Sequence, residues 1–176
     1  MGHFGKLTGR SGSGAATFLN GRPFMPNSIG YGQTMSKPIS DLKLMISSME
    51  PVLNDGAYVY TSVPHGTDTS NIDSIASIRE VEGITLVVSE KQALENGLPV
   101  LYRCSWIPLN VHSDLNACGL TAAFSKALAE EGISCNVVAG AYHDHIFVPV
   151  ALESKALLAL KLLQNSQMPL VVSTIE

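Results

Sequence analysis

Two short runs gather the side chains best suited to chemistry in this 176-residue chain: His112-Ser113-Asp114 and His143-Asp144-His145. Histidines at i and i+2 of a strand face the same way, and imidazole suits zinc or nickel. With His112 as a third ligand, the cluster would make a metal-dependent enzyme. No Glu base or Cys ligand stands at a useful spacing, and Asp144 points to the opposite side of a regular strand. The plainer reading is an interface face whose histidines bond to backbone or to Asp144, and no residue is assigned as a metal ligand. Ser113 beside His112 and Asp114 supplies the residue types of a nucleophile and base, but neighbours in a strand-turn seldom reach the geometry. Helix capping is the expected role of Ser113 or Asp114. Cys104, Cys118 and Cys135 show no CxxC spacing and sit in apolar-patterned segments. They read as buried free thiols in a reducing, cytoplasmic compartment. Arg79-Glu80 reads as a surface pair. The run Gly9-Arg10-Ser11-Gly12-Ser13-Gly14 lacks the Lys-Ser/Thr of a phosphate loop and a preceding strand, so nucleotide binding is rejected there. No catalytic set and no cofactor follow from these residues.

The elements that must hold these residues run from Trp106 to Pro149. Trp106–His112 alternates as a half-buried strand, with Ile107, Leu109 and Val111 on one side and Trp106, Asn110 and His112 on the other. Pro108 interrupts it and donates nothing to a ladder. A helix over roughly 115–131 carries Leu120, Phe124, Ala127 and Leu128 as one apolar stripe, and Gly132 stops it. Strands follow over 133–139 and 142–150, the second with Ile146 and Val148 opposed to His143, His145 and Phe147. A right-handed crossover and a hairpin return place the third strand between the first two, as in a split βαβ unit. That topology predicts His112 near His143 and His145. A helix over 152–164 and a strand over 170–175 complete βαββαβ. The first half reads as a short helix capped by Ser40 or Asp41, strands over 57–63, 74–80 and 84–88, and a helix over 90–96 ending at Gly97. Trp106, on the polar face, is a candidate anchor between the halves. The expected organisation is an extension over 1–36, a first half over 37–103 and a second over 104–176. Each half is marginal alone, so packing together or dimerising would help.

Residues 1–40 hold Lys6, Arg10, Arg22 and Lys37 and no acidic residue, whereas the remainder has 7 basic and 15 acidic residues. An acidic body argues against a nucleic-acid surface. No run of 18 apolar residues offers a membrane span. Residues 1–34, rich in Gly, Ser and Asn, read as a structureless extension. The alternatives are a targeting leader or an upstream stretch before a true start at Met35.

The runs His112-Ser113-Asp114-Leu115, Gly119-Leu120-Thr121-Ala122-Ala123-Phe124, Gly132 to Gly140, and His143-Asp144-His145-Ile146-Phe147-Val148-Pro149 resemble the ACT-domain family. The resemblance is narrowest to small tandem-ACT proteins related to aspartate kinase regulatory domains and to an arginine-sensing tandem-ACT group. It extends through Arg79-Glu80 and Glu82-Gly83-Ile84-Thr85-Leu86-Val87 in the first half. It implies an α+β fold of two ferredoxin-like units, the second βαββαβ with an antiparallel sheet and helices on one face. It also implies a regulatory module that binds an amino acid at an interface of ACT units, without catalysis or cofactor. The residues carried over as ligand-binding are His112, Ser113, Asp114, Leu115, Gly119, Leu120, Thr121, Ser134, Asn136, His143 and His145, with Asp114 pairing an α-ammonium. Where several ACT ligand turns carry Gly, this chain has Leu115-Asn116-Ala117. A homodimer acting on a separate effector protein is expected. The alternatives are the metal-dependent enzyme and a purely structural dimerisation unit.

Overall fold

The computed structural model describes residues 37–168 and, ahead of them, two short strands, β1 (Phe18–Leu19) and β2 (Arg22–Pro23), which pair antiparallel. The structureless reading of 1–34 otherwise concerns residues outside those described, and so does the strand expected over 170–175.

Residues 37–168 form one compact unit. Helix α1 (Leu42–Ser48) is capped by Asp41, whose carboxylate accepts from the Leu44 N–H at 2.7 Å. Strands β3 (Tyr58–Val63), β4 (Ser74–Arg79) and β5 (Ile84–Ser89) follow, then helix α2 (Glu90–Glu95). The second half runs β6 (Tyr102–Leu109), α3 (Leu120–Glu130), β7 (Asn136–Ala139), β8 (Asp144–Pro149), a 3-10 turn over Val150–Leu152, and α4 (Glu153–Ser166). All six strands β3–β8 join one antiparallel sheet in the order β4-β5-β3-β6-β8-β7. As the crossover argument requires, β8 lies between β6 and β7.

Several boundaries differ from the sequence reading, two of them by four residues or more. Strand β6 begins at Tyr102 rather than Trp106, because Tyr102–Cys104 pair with Tyr58–Tyr60 of the first half. Helix α3 begins at Leu120 rather than Leu115. Its N-cap is Gly119 in a left-handed conformation with no side-chain cap, not Ser113 or Asp114. The thiol of Cys118 is exposed, because residue 118 falls in the preceding turn instead of the helix. Cys104 is fully buried, which pushes its thiol up to about 12, and burial also raises Cys135. Both remain inert.

Pro108 fits inside β6 because that position must only accept. Its carbonyl takes the Val52 N–H at 3.1 Å, while Asn54 N–H donates to Trp106 O and Asn110 N–H to Glu50 O. Residues 50–54 thus run along the outer flank of β6, where a fourth strand of the second unit would lie.

Strand alternation sorts the side chains onto two faces. On the helix-covered face, Met45 of α1 and Met49 at its C-terminal cap meet Ile107 and Leu109 of β6, Phe124 and Leu128 of α3, Ile146 and Val148 of β8 and Leu160 of α4, all fully buried. A smaller cluster joins Val59, Val63, Leu86 and Val88 to Ala93 of α2. On the opposite face Val87, Cys104 and Phe147 are buried under Tyr58, Tyr60, Tyr102 and Trp106. Tyr58 meets Trp106 edge-on at 5.3 Å, and Tyr60 meets Phe147 at 5.5 Å. Trp106 therefore ties the two halves together, as its position suggested.

Met45 belongs to the first half in sequence and to the core of the second in space. Met45→Ala is expected to destabilise the chain by about 2–5 kcal/mol. Urea unfolding followed by the fluorescence of Trp106, the single tryptophan, and by far-UV circular dichroism checks this. The two probes should shift together in one transition.

Candidate functional site

The loop between β6 and α3 folds on the side chain of Asp114. Its Oδ1 accepts from the backbone N–H of Asn116 at 2.9 Å and from the Asn116 amide at 3.2 Å, and its Oδ2 accepts from Ser40 Oγ at 2.9 Å. These partners hold its carboxyl below the usual range, the Asn116 N–H contributing most and Ser40 next. The chain before α1 lies across this loop. Ile39 N–H donates to His112 O at 2.8 Å and Asp114 N–H to Ile39 O at 2.9 Å.

Gly119 closes the loop with φ +105°, and a Cβ there would stand 2.9 Å from Leu42 Cδ2. The backbone conformation demands glycine, and a Cβ would also make the Leu42 side chain shift. The result is an eleven-residue helix whose first-turn N–H groups lack a side-chain acceptor at the cap, a favourable end for an anion.

A cavity of about 110 Å³ opens at this end, lined by Ser113, Asp114, Leu115, Gly119, Leu120 and Thr121, with Met45, Ala117, Ala139 and Asp144 completing the wall. Asp144 projects from β8 beside Leu109 and Ala139 and is 8% exposed. Among the described residues no hydrogen bond or ion pair reaches its carboxylate. Burial drives its pKa up, and the neighbouring His145 offsets this only in part.

Six residues expected at a ligand site, Ser113, Asp114, Leu115, Gly119, Leu120 and Thr121, thus line one cavity. The others lie elsewhere. His112 packs edge-on against Tyr142 at 5.3 Å, and His143 Nδ1 lies 3.2 Å from Val111 O. His145 accepts from Trp106 Nε1 at 3.1 Å on the opposite sheet face. Burial, then His143, holds His145 below the usual imidazole range, in keeping with a neutral acceptor. Asn136, paired with Phe147, also belongs to that opposite face. Ser134 stands beside the Tyr102 phenol, a neighbour that partly offsets the upward push of burial on Tyr102. The strand ends meet as the topology predicts, His112 against Tyr142 and His143 against Val111, but His145 is turned to Trp106 on the opposite sheet face. Among the described residues no group of three His, Cys, Asp or Glu side chains is placed to hold a metal.

Asp144 was missed as a cavity residue. The available signal was an acidic residue two before Ile146 and four before Val148, hence on the apolar side of an alternating strand.

The raised pKa of Asp144 has a definite consequence for stability. Its native state binds the proton more tightly than the unfolded chain, so stability falls as pH climbs from the ordinary carboxylate pKa through the raised one. Above the raised pKa the ionised group opposes folding in full. Asp144→Asn should therefore raise the melting temperature of the free protein at pH 7. The gain should shrink as pH falls to the ordinary carboxylate range, as thermal melts across that window would read out.

Comparison with known proteins bears on the whole 37–161 region. Two family matches, each described as an ACT domain, cover residues 37–105 and 101–161. A Vibrio cholerae protein of unknown function, described as a possible transport protein, is 45% identical, with a TM-score of 0.63 over 70% of this chain and 95% of its own. An Agrobacterium tumefaciens protein matches at 15% identity and TM-score 0.57 over 66% of this chain and 89% of its own. The aspartokinase alpha and beta subunits match at 16% identity and TM-score 0.50, over 65% of this chain and 97% of theirs. At those identities the last two speak to fold alone. No curated protein matches in sequence. The order β6-β8-β7 with helices on one face, its counterpart β3-β5-β4, and the two adjoining family matches agree: the chain belongs to the ACT-domain family and carries two ACT domains in tandem.

Proposed function

We propose that the chain is a non-catalytic regulatory module that binds an amino acid in the cavity between the 112–119 loop, the start of α3, α1 and β8. In this reading it works in the cytoplasm as a homodimer and passes its signal to a separate effector protein. The observation that carries the proposal is Asp144, a carboxylate 8% exposed on the cavity wall with no donor directed at it among the described residues. An unpaired buried anion is unfavourable, and such groups gather where a ligand supplies the missing charge. An α-ammonium on Asp144 and an α-carboxylate on the first-turn amides of α3 would satisfy both ends of the cavity. Asp114 already accepts from Ser40 and Asn116. It shapes the loop, and the cation falls to Asp144 instead. Membership of the ACT family supports ligand binding as the role, and no helix among the described residues is long and apolar enough to cross a membrane.

Thermal melts of the full chain against the common amino acids and divalent metals test the proposal. A ligand at about 100-fold its dissociation constant adds about 2.7 kcal/mol, which raises the midpoint by several degrees. The expected result is a rise with at least one amino acid, none with metals, and loss of the rise in Asp144→Asn. A flat response to every amino acid would sink the proposal.

A further inference from the structure

The size and polarity of the cavity narrow the ligand further, on the premise that the amino-acid reading holds. We propose that the ligand is a small α-amino acid with a short, uncharged side chain, of the size of glycine, alanine or serine.

Charge comes first. Two carboxylates border the cavity, but Asp114 is held by Ser40 Oγ, the Asn116 N–H and the Asn116 amide. One uncommitted anion, Asp144, remains for one cation. The amides at the start of α3 answer one anion, the α-carboxylate. A second ammonium or a guanidinium on the ligand would have to compete with Ser40 and Asn116 for the Asp114 carboxylate. An acidic side chain would place a second negative charge near Asp144 and Asp114.

Volume comes next. The cavity measures about 110 Å³, below the ~300 Å³ at which pockets for drug-sized ligands begin and close to the volume of about four waters. That accommodates the atoms common to all α-amino acids and a short side chain, whereas a longer one would have to leave through the rim and gain nothing from the wall. The floor cannot retreat, because Met45 is fully buried and Leu120 is 5% exposed, both inside the main core. Next to the ligand's side chain the wall offers Ala117, Ala139 and the hydroxyl-bearing Ser113 and Thr121, a lining for a methyl or hydroxymethyl group. Ala139 is exposed at the rim, so a larger residue there would shrink the space without disturbing the core.

Isothermal titration of the full chain with glycine, L-alanine, L-serine, L-phenylalanine, L-lysine and L-arginine tests this, alongside Asp144→Asn and Ala139→Leu. Heat is expected with glycine, alanine or serine and not with the other three. Asp144→Asn should weaken that binding at least tenfold. Ala139→Leu should weaken alanine and serine more than glycine while leaving the melting temperature of the free protein nearly unchanged. Tighter binding of lysine, arginine or phenylalanine that is lost in Asp144→Asn would overturn the size and charge class and leave the amino-acid site standing. Binding of none of the six would overturn the size class and leave the amino-acid site to the full panel of melts, whereas binding indifferent to Asp144→Asn would overturn both.

Discussion

The second ACT unit depends on a helix it does not own. α1 precedes β3 in the chain, yet its Met45 and Ile46, with the capping Met49, are buried with Ile107, Leu109, Phe124, Leu128 and Leu160. Seven residues of helix are far too few to persist alone in water. The stability of α1 comes from this burial together with the Asp41 cap, and the core of β6, β8, α3 and α4 in turn lacks a wall without it. The chain on either side follows the same path. Residues 50–54 run along β6 and Ile39 pairs with Ser113. The candidate site is a by-product of this insertion, since Met45, Ser40 and Leu42 reach the cavity or the loop that bounds it only because α1 is docked there.

Strand alternation then decides which titratable groups reach the cavity. In β8, Asp144 falls on the helix-covered face with Ile146 and Val148, whereas His145 falls on the aromatic face with Phe147. A one-residue step separates a carboxylate on a cavity wall from an imidazole bonded to Trp106. The histidines are thus spent on packing and backbone contacts: His143 on Val111, His145 on Trp106, His112 against Tyr142. A cluster that reads as metal chemistry in one dimension becomes three separate fastenings in three.

What was legible in the sequence was whatever depends on near neighbours. The alternation in β6 and β8, the apolar stripe of α3, the cap at Asp41 and the stop at Gly132 were all readable, and the resemblance located the 112–121 loop. What escaped depends on distant partners. The start of β6 at Tyr102 is set by pairing with Tyr58–Tyr60, some forty residues earlier. The delayed start of α3 is set by the Asp114 turn, which Ser40 helps to hold, and by Leu42 pressing on Gly119. Neither contact has a counterpart in the local pattern around residue 115. Cys118 was misjudged for the same reason, because its exposure follows from the turn.

Asp144 is where folding and binding pull apart. A residue on the apolar side of a buried strand, next to Leu109 and Ala139, would serve stability best as a hydrophobe of similar volume. The chain instead keeps a carboxylate whose ionised form burial disfavours. Local rules of this kind are broken mainly at functional sites, and the same cavity offers the complementary end, a helix start left uncapped by Gly119. A negative wall facing a positive helix end across a space of about 110 Å³ matches a molecule that carries an ammonium and a carboxylate on one carbon. A ligand that brought a cation to Asp144 would relieve a cost that the free fold carries.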